Sequence, residues 1–247
     1  MLSCNSFSVR IADKVIKVYP VCPQTKDYCA DYLCEEKEDF AISIHPEDIE
    51  YERKKSAQAD LKENKEIRGF SDRYLETLAL YRKIAEKMLE YDTFLFHGSC
   101  IAVDGVGYLF TAASGTGKST HTRLWREYFG DRATMVNDDK PLIYVGENEI
   151  RIHGTPWNGK HHLGENISVP LKAICFLKRG AENRIARIDK SLAYPMLLQQ
   201  AYRPQNTEKL TILLSLLDRL GDKVSLYQMH CNMDQKAVQV AYQGMKN

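Results

Sequence analysis

Hydrophobic positions along this chain change period several times, and each change marks an element. Residues 7 to 19, FSVRIADKVIKVY, alternate on either side of a polar Ala-Asp-Lys break, which predicts a β-hairpin or two short strands. Pro20 and Pro23 end that run. DFAISIH, from Asp39 to His45, alternates cleanly and predicts another strand, closed by Pro46. Residues 47 to 65 are then almost wholly charged or polar, as in a solvated helix or a mobile connector. At Ser71, a plausible N-cap, the period becomes helical, with Tyr74, Leu75, Leu78, Tyr81, Ala85 and Met88 on one stripe assigned to packing. Phe94 to His97 follows as the first strand of a second region.

In that region Ser99 to Val103 and Gly107 to Phe110 flank Asp104-Gly105, a two-residue hairpin signal. The strand that feeds the next loop therefore has an antiparallel neighbour, which argues against a purely parallel, doubly wound sheet. A helix to about Tyr128, a turn at Gly130-Asp131 and a strand over 133–136 come next. Strands over 142–145 and 149–153 are joined by Gly-Glu-Asn, and Leu171 to Lys178 reads as an apolar strand. Helices are predicted over 191–202 and 207–220, the second with Leu210, Leu213, Leu214 and Leu217 on one face, Thr207 as cap and Gly221 as stop. A strand over 224–228 and a helix from Asp234 complete an α/β fold. The division expected is an accessory region, 1–92, serving as a substrate lid or a partner-binding module, before a mixed-sheet core, 93–247.

Composition narrows the function classes. With 34 Lys and Arg against 33 Asp and Glu, the net charge of +1 points to neither a nucleic-acid nor a membrane partner. The N-terminus lacks the apolar core of a signal peptide, and no run approaches the roughly 20 apolar residues of a membrane span. Seven cysteines without a C-x-x-C pair are read as free thiols of a cytoplasmic protein, in preference to a zinc or disulfide set. A homo-oligomer is left open.

Candidate chemistry centres on YLFTAASGTGKSTHTRLWRE, Tyr108 to Glu127. Here a short apolar strand runs into a small-residue loop and then a helix. Ser114, Gly115, Thr116, Gly117, Lys118, Ser119 and Thr120 form a candidate phosphate cradle. Its glycines turn backbone N–H groups inward, Lys118 reaches the β/γ-phosphates, and Ser119 can sit on Mg²⁺. The helix N-terminus faces the same anion. Ala112 stands where such a loop usually has its first glycine, and the plainer alternative is a Gly/Ser turn that happens to precede Lys-Ser. Asp138 and Asp139 end an apolar strand, where one carboxylate can hold a metal and the other can accept a hydroxyl proton. An Asp-Asp turn before Pro141 is the bland alternative. The segment Gly154 to Leu163 suits a ligand better than a core, with Trp157 to stack on a base and Lys160 or His161 to meet an anion. His153, His161 and His162 are a weak metal set.

Taken in order, His97-Gly98, Asp104-Gly105-Val106-Gly107, the loop from Ser114 to Ser119 and Val136-Asn137-Asp138-Asp139 resemble the HPr kinase/phosphorylase family, whose P-loop core is shared with phosphoenolpyruvate carboxykinase. The resemblance spans residues 97 to 140. It implies an ATP- and Mg²⁺-dependent phosphotransferase in which Lys118 and Ser119 bind phosphates, Ser119 and Asp139 hold the metal, Asp138 is the general base and His97 lies beside it. Ala112 and Thr120 depart from the family's usual loop, and the glycine-rich segment that grips its protein substrate has no counterpart here. The acceptor implied is therefore a hydroxyl of a small molecule or of a peptide or protein serine. A non-catalytic nucleotide-binding regulator and, less favoured, a carboxykinase-like lyase are the competing classes.

Overall fold

The computed structural model describes residues 6–113, 115–159 and 161–246. The chain forms two compact units, Met1–Lys87 and Met88–Asn247.

In the first unit β1 (Phe7–Ile11) and β2 (Lys14–Tyr19) pair as a hairpin with Val9 opposite Ile16. Phe7, Val9 and Ile11 are buried in the alternation that a half-covered sheet imposes. The Ala12-Asp13 turn takes positive φ at both residues, as a two-residue hairpin requires. After α1 (Thr25–Tyr28), β3 (Leu33–Cys34) pairs with β1, and β4 (Phe40–Ser43) joins β2 in parallel.

The charged stretch that follows is α2 (Pro46–Lys62), and its carboxylates explain why so polar a segment is ordered. Arg82 of α3 (Asp72–Met88) donates to Glu52 at 2.6 Å and to Asp48 at 3.2 Å. Arg68 grips the buried Asp60 through two guanidinium nitrogens, at 2.7 and 3.1 Å. Such multiply bonded, partly desolvated pairs are worth more than exposed ones. Ser71 Oγ accepts the Tyr74 N–H at 3.3 Å, in keeping with its capping role. Of the predicted stripe Leu75, Ala85 and Met88 are buried, joined by Ala79, Leu80 and Ile84, while Leu78 and Tyr81 are half-buried and Tyr74 is left 44% exposed. Phe70 and Arg53 explain that correction, because Tyr74 stacks on Phe70 with centroids 5.0 Å apart while Arg53 binds the Phe70 carbonyl, holding both rings outside the core.

Glu76, inward on α3, is fully buried. Its carboxylate accepts the Val21 and Cys22 N–H groups at 2.6 and 2.8 Å and the Thr25 hydroxyl at 2.8 Å. One side chain thus satisfies the loop that leaves β2 and the start of α1. Glu76→Gln swaps an acceptor for a donor facing backbone donors, so chemical denaturation should report a loss of about 2 kcal/mol. A loss under about 0.5 kcal/mol would mean that water replaces these bonds.

The second unit is built on a mixed nine-stranded sheet among the described residues. Its elements are β5 (Thr93–Leu95), β6 (Ser99–Val103), β7 (Val106–Thr111), α4 (Lys118–Phe129) and β8 (Ala133–Asn137). They continue with β9 (Leu142–Val145), β10 (Ile150–His153), β11 (Ser168–Arg179), β12 (Arg184–Arg187), α5 (Lys190–Gln200), α6 (Thr207–Lys223), β13 (Ser225–Cys231) and α7 (Lys236–Lys246). The order is β5-β9-β10-β11-β7-β6-β8, with β13 on β11 and β12 on β13. The hairpin between β6 and β7 turns at Asp104 and Gly105, both at positive φ, and Arg132 clamps the Asp104 carboxylate. β7 is thus antiparallel to β6 on one side and parallel to β11 on the other.

Both sheet faces are covered, and the pleat sorts each strand's side chains between them. Leu109, Ile174 and Phe176 join Leu213, Leu216, Leu217 and Leu220 of α6 in one core. Tyr108, Phe110 and Cys175 join Leu124 and Trp125 of α4 and Val238 of α7 in the other. Gly221 does not stop α6, which runs on to Lys223, and Asn206 rather than Thr207 caps it by accepting the Lys209 N–H at 3.0 Å. Apart from Cys4, outside the described residues, every cysteine is a free thiol. Among the described residues no helix is long and apolar enough to cross a membrane.

Candidate functional site

The loop between β7 and α4 takes its shape from two glycines. Gly115 has φ 74° and Gly117, immediately before α4, has φ 112°, conformations that L side chains rarely adopt. Ala112 is not among the residues at positive φ, and its buried methyl sits in the core beside Leu124 and Phe110. No glycine is needed there, which accounts for the departure in sequence. Ser114 lies outside the described residues. Arg179, the last residue of β11, holds the loop by donating to the Gly115 carbonyl at 2.6 Å.

α4 opens on Lys118, whose Nζ lies 3.4 Å from the Ala112 carbonyl. Its first N–H groups and dipole face the loop, an anion-binding arrangement in itself. The helix is anchored from behind: Trp125 donates to His121 Nε2 at 3.1 Å, and the His121 ring lies edge-on to Phe110, 4.6 Å between centroids. Burial lowers the His121 pKa to about 4, so its ring is neutral and serves packing.

β8 delivers the two aspartates. Asn137 Oδ1 accepts the Asp139 and Lys140 N–H groups at 2.8 and 2.6 Å, an Asx turn, while its Nδ2 donates to the Thr155 carbonyl and hydroxyl, both at 3.1 Å. Asp138, only 8% exposed, points back into the unit. Its Oδ1 accepts the Ser99 hydroxyl at 2.6 Å, and Ser99 Oγ lies 2.9 Å from Thr122 Oγ1, which links the carboxylate to α4. Its Oδ2 faces Gly159, where a Cβ would come within 2.9 Å. Asn158 Oδ1 lies 3.4 Å from the Asp138 N–H.

Asp139 is half-buried. It meets Lys140 Nζ at 3.0 Å and His97 Nε2 at 3.4 Å, both on Oδ1, so that Oδ2 is open among the described residues. Burial first, then Lys140 and Lys118, lower the His97 pKa to about 4, against the pull of Asp139 and a hydrogen bond with Gln200. The imidazole is neutral at physiological pH and lies beside the Asp139 carboxylate without serving as its counter-ion. Lys118 is lowered chiefly by burial, with Asp139 and then Asp138 acting the other way and Lys140 adding to the depression.

Two cavities flank the start of α4, and Thr120 lines both. One, of about 400 Å³ and mainly apolar, lies between Gly115–Gly117, Leu124, Arg179 and Met233. The other, of about 150 Å³, has Asp138 in its wall together with Ser119, Arg123, Arg126 and His161. A larger groove of about 670 Å³ shares no residue with either, and its cations are engaged: Arg219 binds Asp92 and Val145, and Lys223 binds the Gly146 and Glu147 carbonyls.

Gly115 through Thr120, Asp138, Asp139 and His97 are therefore drawn to one end of the sheet. Trp157 is not an open stacking surface: only 5% exposed, it is buried with Gly154, Thr155 and Pro156. His161 is exposed at the smaller cavity, and Lys160 lies outside the described residues. His153 is buried while His161 and His162 are exposed, and no three metal-binding side chains gather among the described residues. Ser99, Thr122, Asn137 and Asn158, which fix Asp138, carry no sequence signal of that role except Asn137, whose Asn-Asp-Asp run is a turn signature.

No curated protein matches the chain. A solved structure, the Hpr(Ser) kinase/phosphatase from Coxiella burnetii, is similar over 62% of this chain and 99% of that one, at 12% identity and a TM-score of 0.32. The family model of the SynChlorMet cassette protein ScmC matches residues 66–237, more than half of the sequence, and the chain belongs to that family.

Proposed function

We propose that this protein is an ATP- and Mg²⁺-dependent phosphotransferase acting on a hydroxyl. The observation that carries this reading is the convergence of Lys118, at the first turn of a helix behind two positive-φ glycines, with the paired carboxylates of Asp138 and Asp139. A regulator that only binds nucleotide needs the loop and one metal ligand but has no use for a second carboxylate held by Ser99 in the wall of a cavity.

The triphosphate lies along the loop and the α4 N-terminus, with the nucleoside toward the apolar cavity. Ser119 and the open Oδ2 of Asp139 are hard oxygen donors that suit Mg²⁺, which takes few protein ligands and completes its shell with phosphate and water. Held by these residues, the ion would supply charge neutralisation to the transferring phosphoryl group. Asp138 takes the acceptor's hydroxyl proton as the oxygen bonds to the γ-phosphorus, and the β–γ bridge breaks to release ADP with the bond's electron pair. Lys118 stabilises charge on the phosphates, and neutral His97 orients Asp139. Transfer is catalysed by alignment and electrostatics, without a covalent enzyme intermediate.

The test is ADP release from MgATP by the purified chain across pools of hydroxyl metabolites and serine peptides, beside nucleotide-binding measurements. Acceptor-dependent turnover is expected. Nucleotide binding with no acceptor-dependent turnover in any pool would favour the regulator.

A further inference from the structure

The smaller cavity beside Asp138 holds more positive charge than the phosphates require. Arg123 and Arg126 lie one turn apart on α4 and both line it, with exposed His161 opposite and Ser119 and Thr120 toward the loop. Arg123 is engaged with Glu127. Arg126, half-buried, has no hydrogen-bonding or ionic partner among the described residues. A guanidinium at a cavity wall with none of its donors taken up by the protein has all of them available to a ligand. Planar and permanently charged, it matches a carboxylate in a two-point contact.

The volume, about 150 Å³, is well below that of a pocket for a drug-sized molecule and suits a handful of heavy atoms. Its wall pairs a proton acceptor, Asp138, with an unpaired cation, Arg126. Resting on the phosphotransferase reading above, we propose that the acceptor is a small hydroxy acid: its hydroxyl faces Asp138 and its anionic group is bound by Arg126, supported by Arg123 and His161. A peptide serine beside an acidic residue offers the same two groups, and its chain would have to leave through the mouth at His161. The cavity's size favours the free acid.

The experiment pairs acids with their uncharged counterparts, glycerate with glycerol and serine with serinamide, and adds serine peptides with and without a neighbouring acidic residue. Phosphorylation and direct binding by NMR, with a non-hydrolysable ATP analogue present, are followed in the wild type, Arg126→Gln and Arg126→Lys. Expected is at least a tenfold preference for the acids in kcat/KM, lost in Arg126→Gln and partly restored in Arg126→Lys. If only acidic peptides are accepted, the shared chemistry stands and the source is the peptide. Equal use of acids and neutral partners, or an Arg126→Gln loss that is the same for both, overturns the proposal. If nothing in this panel is phosphorylated while the wider hydroxyl pools give acceptor-dependent ADP release, the proposal is overturned and the phosphotransferase reading stands; if neither gives turnover, the phosphotransferase reading fails and NMR decides the anion site: binding of the acids that disappears in Arg126→Gln supports it, and no binding refutes it.

Discussion

Asp138→Asn lowers acceptor-dependent ADP release by about a hundred- to ten-thousandfold, the range expected when a positioned general base is removed. The amide oxygen can still accept from Ser99 Oγ, so the Ser99–Thr122 link to α4 survives and the fold is kept. Nucleotide affinity changes by less than about threefold, because Asp139 rather than Asp138 is the carboxylate that acts more strongly on Lys118. What disappears is the site that receives the acceptor's proton. Steady-state kinetics beside nucleotide titration separate the two effects: a large fall in kcat with unchanged nucleotide binding is the signature of a lost base. Turnover within threefold of wild type would remove Asp138 from the chemistry and leave substrate alignment alone as the source of rate.

How far this site could be read in advance depends on whether the determinants were local. The loop, the helix after it and the Asp-Asp strand end are short-range patterns, so glycine placement, helical period and a run of apolar residues revealed them. The hairpin at Asp104-Gly105 likewise foretold the antiparallel partner of β7, and with it the mixed sheet. Trp157 misled for the opposite reason. Its Gly-Pro-Asn neighbours look like an exposed loop, yet Asn137 Nδ2 and the Lys140 carbonyl bind Thr155 and draw the segment inward. α2 was ambiguous because its carboxylates are held by arginines beyond its own end, Arg68 on Asp60 and the more remote Arg82 on Glu52, which no periodicity within the helix reveals. The inward face of α3 was only partly legible: helical spacing found Leu75, Ala85 and Met88 but cannot foresee a buried carboxylate such as Glu76. Arg126 was unremarkable in sequence, since a lone arginine on an amphipathic helix reads as solvated until the cavity beside it is known.

Gly154→Ala should be the most damaging small substitution in the second unit. A Cβ there would fall 1.9 Å from the Glu165 carbonyl oxygen and 2.8 Å from that of Val136, and since both are backbone atoms no rotamer change can make room. The segment after β10 is pinned on both sides of this contact, by Gly154 N–H to Ile167 and by Glu165 N–H to Met135 of β8. Making space must break one of these bonds or push on β8, so a cost of about 3 kcal/mol or more is expected, above the usual range for an added methyl group. For a unit of this size that lowers the melting temperature by roughly 10 °C. Gly105→Ala is the contrasting case. Gly105 has φ 78° with nothing within 4 Å of its virtual Cβ, so only backbone strain opposes the change and the loss is about 1 kcal/mol. Because Asn158, which meets the Asp138 N–H, is held by the carbonyl of Thr155 next to Gly154, Gly154→Ala should also reduce turnover below the melting transition, whereas Gly105→Ala should not. Equal melting points for the two variants would mean that the Gly154 contact relaxes freely and that the 154–165 segment does not brace Asp138.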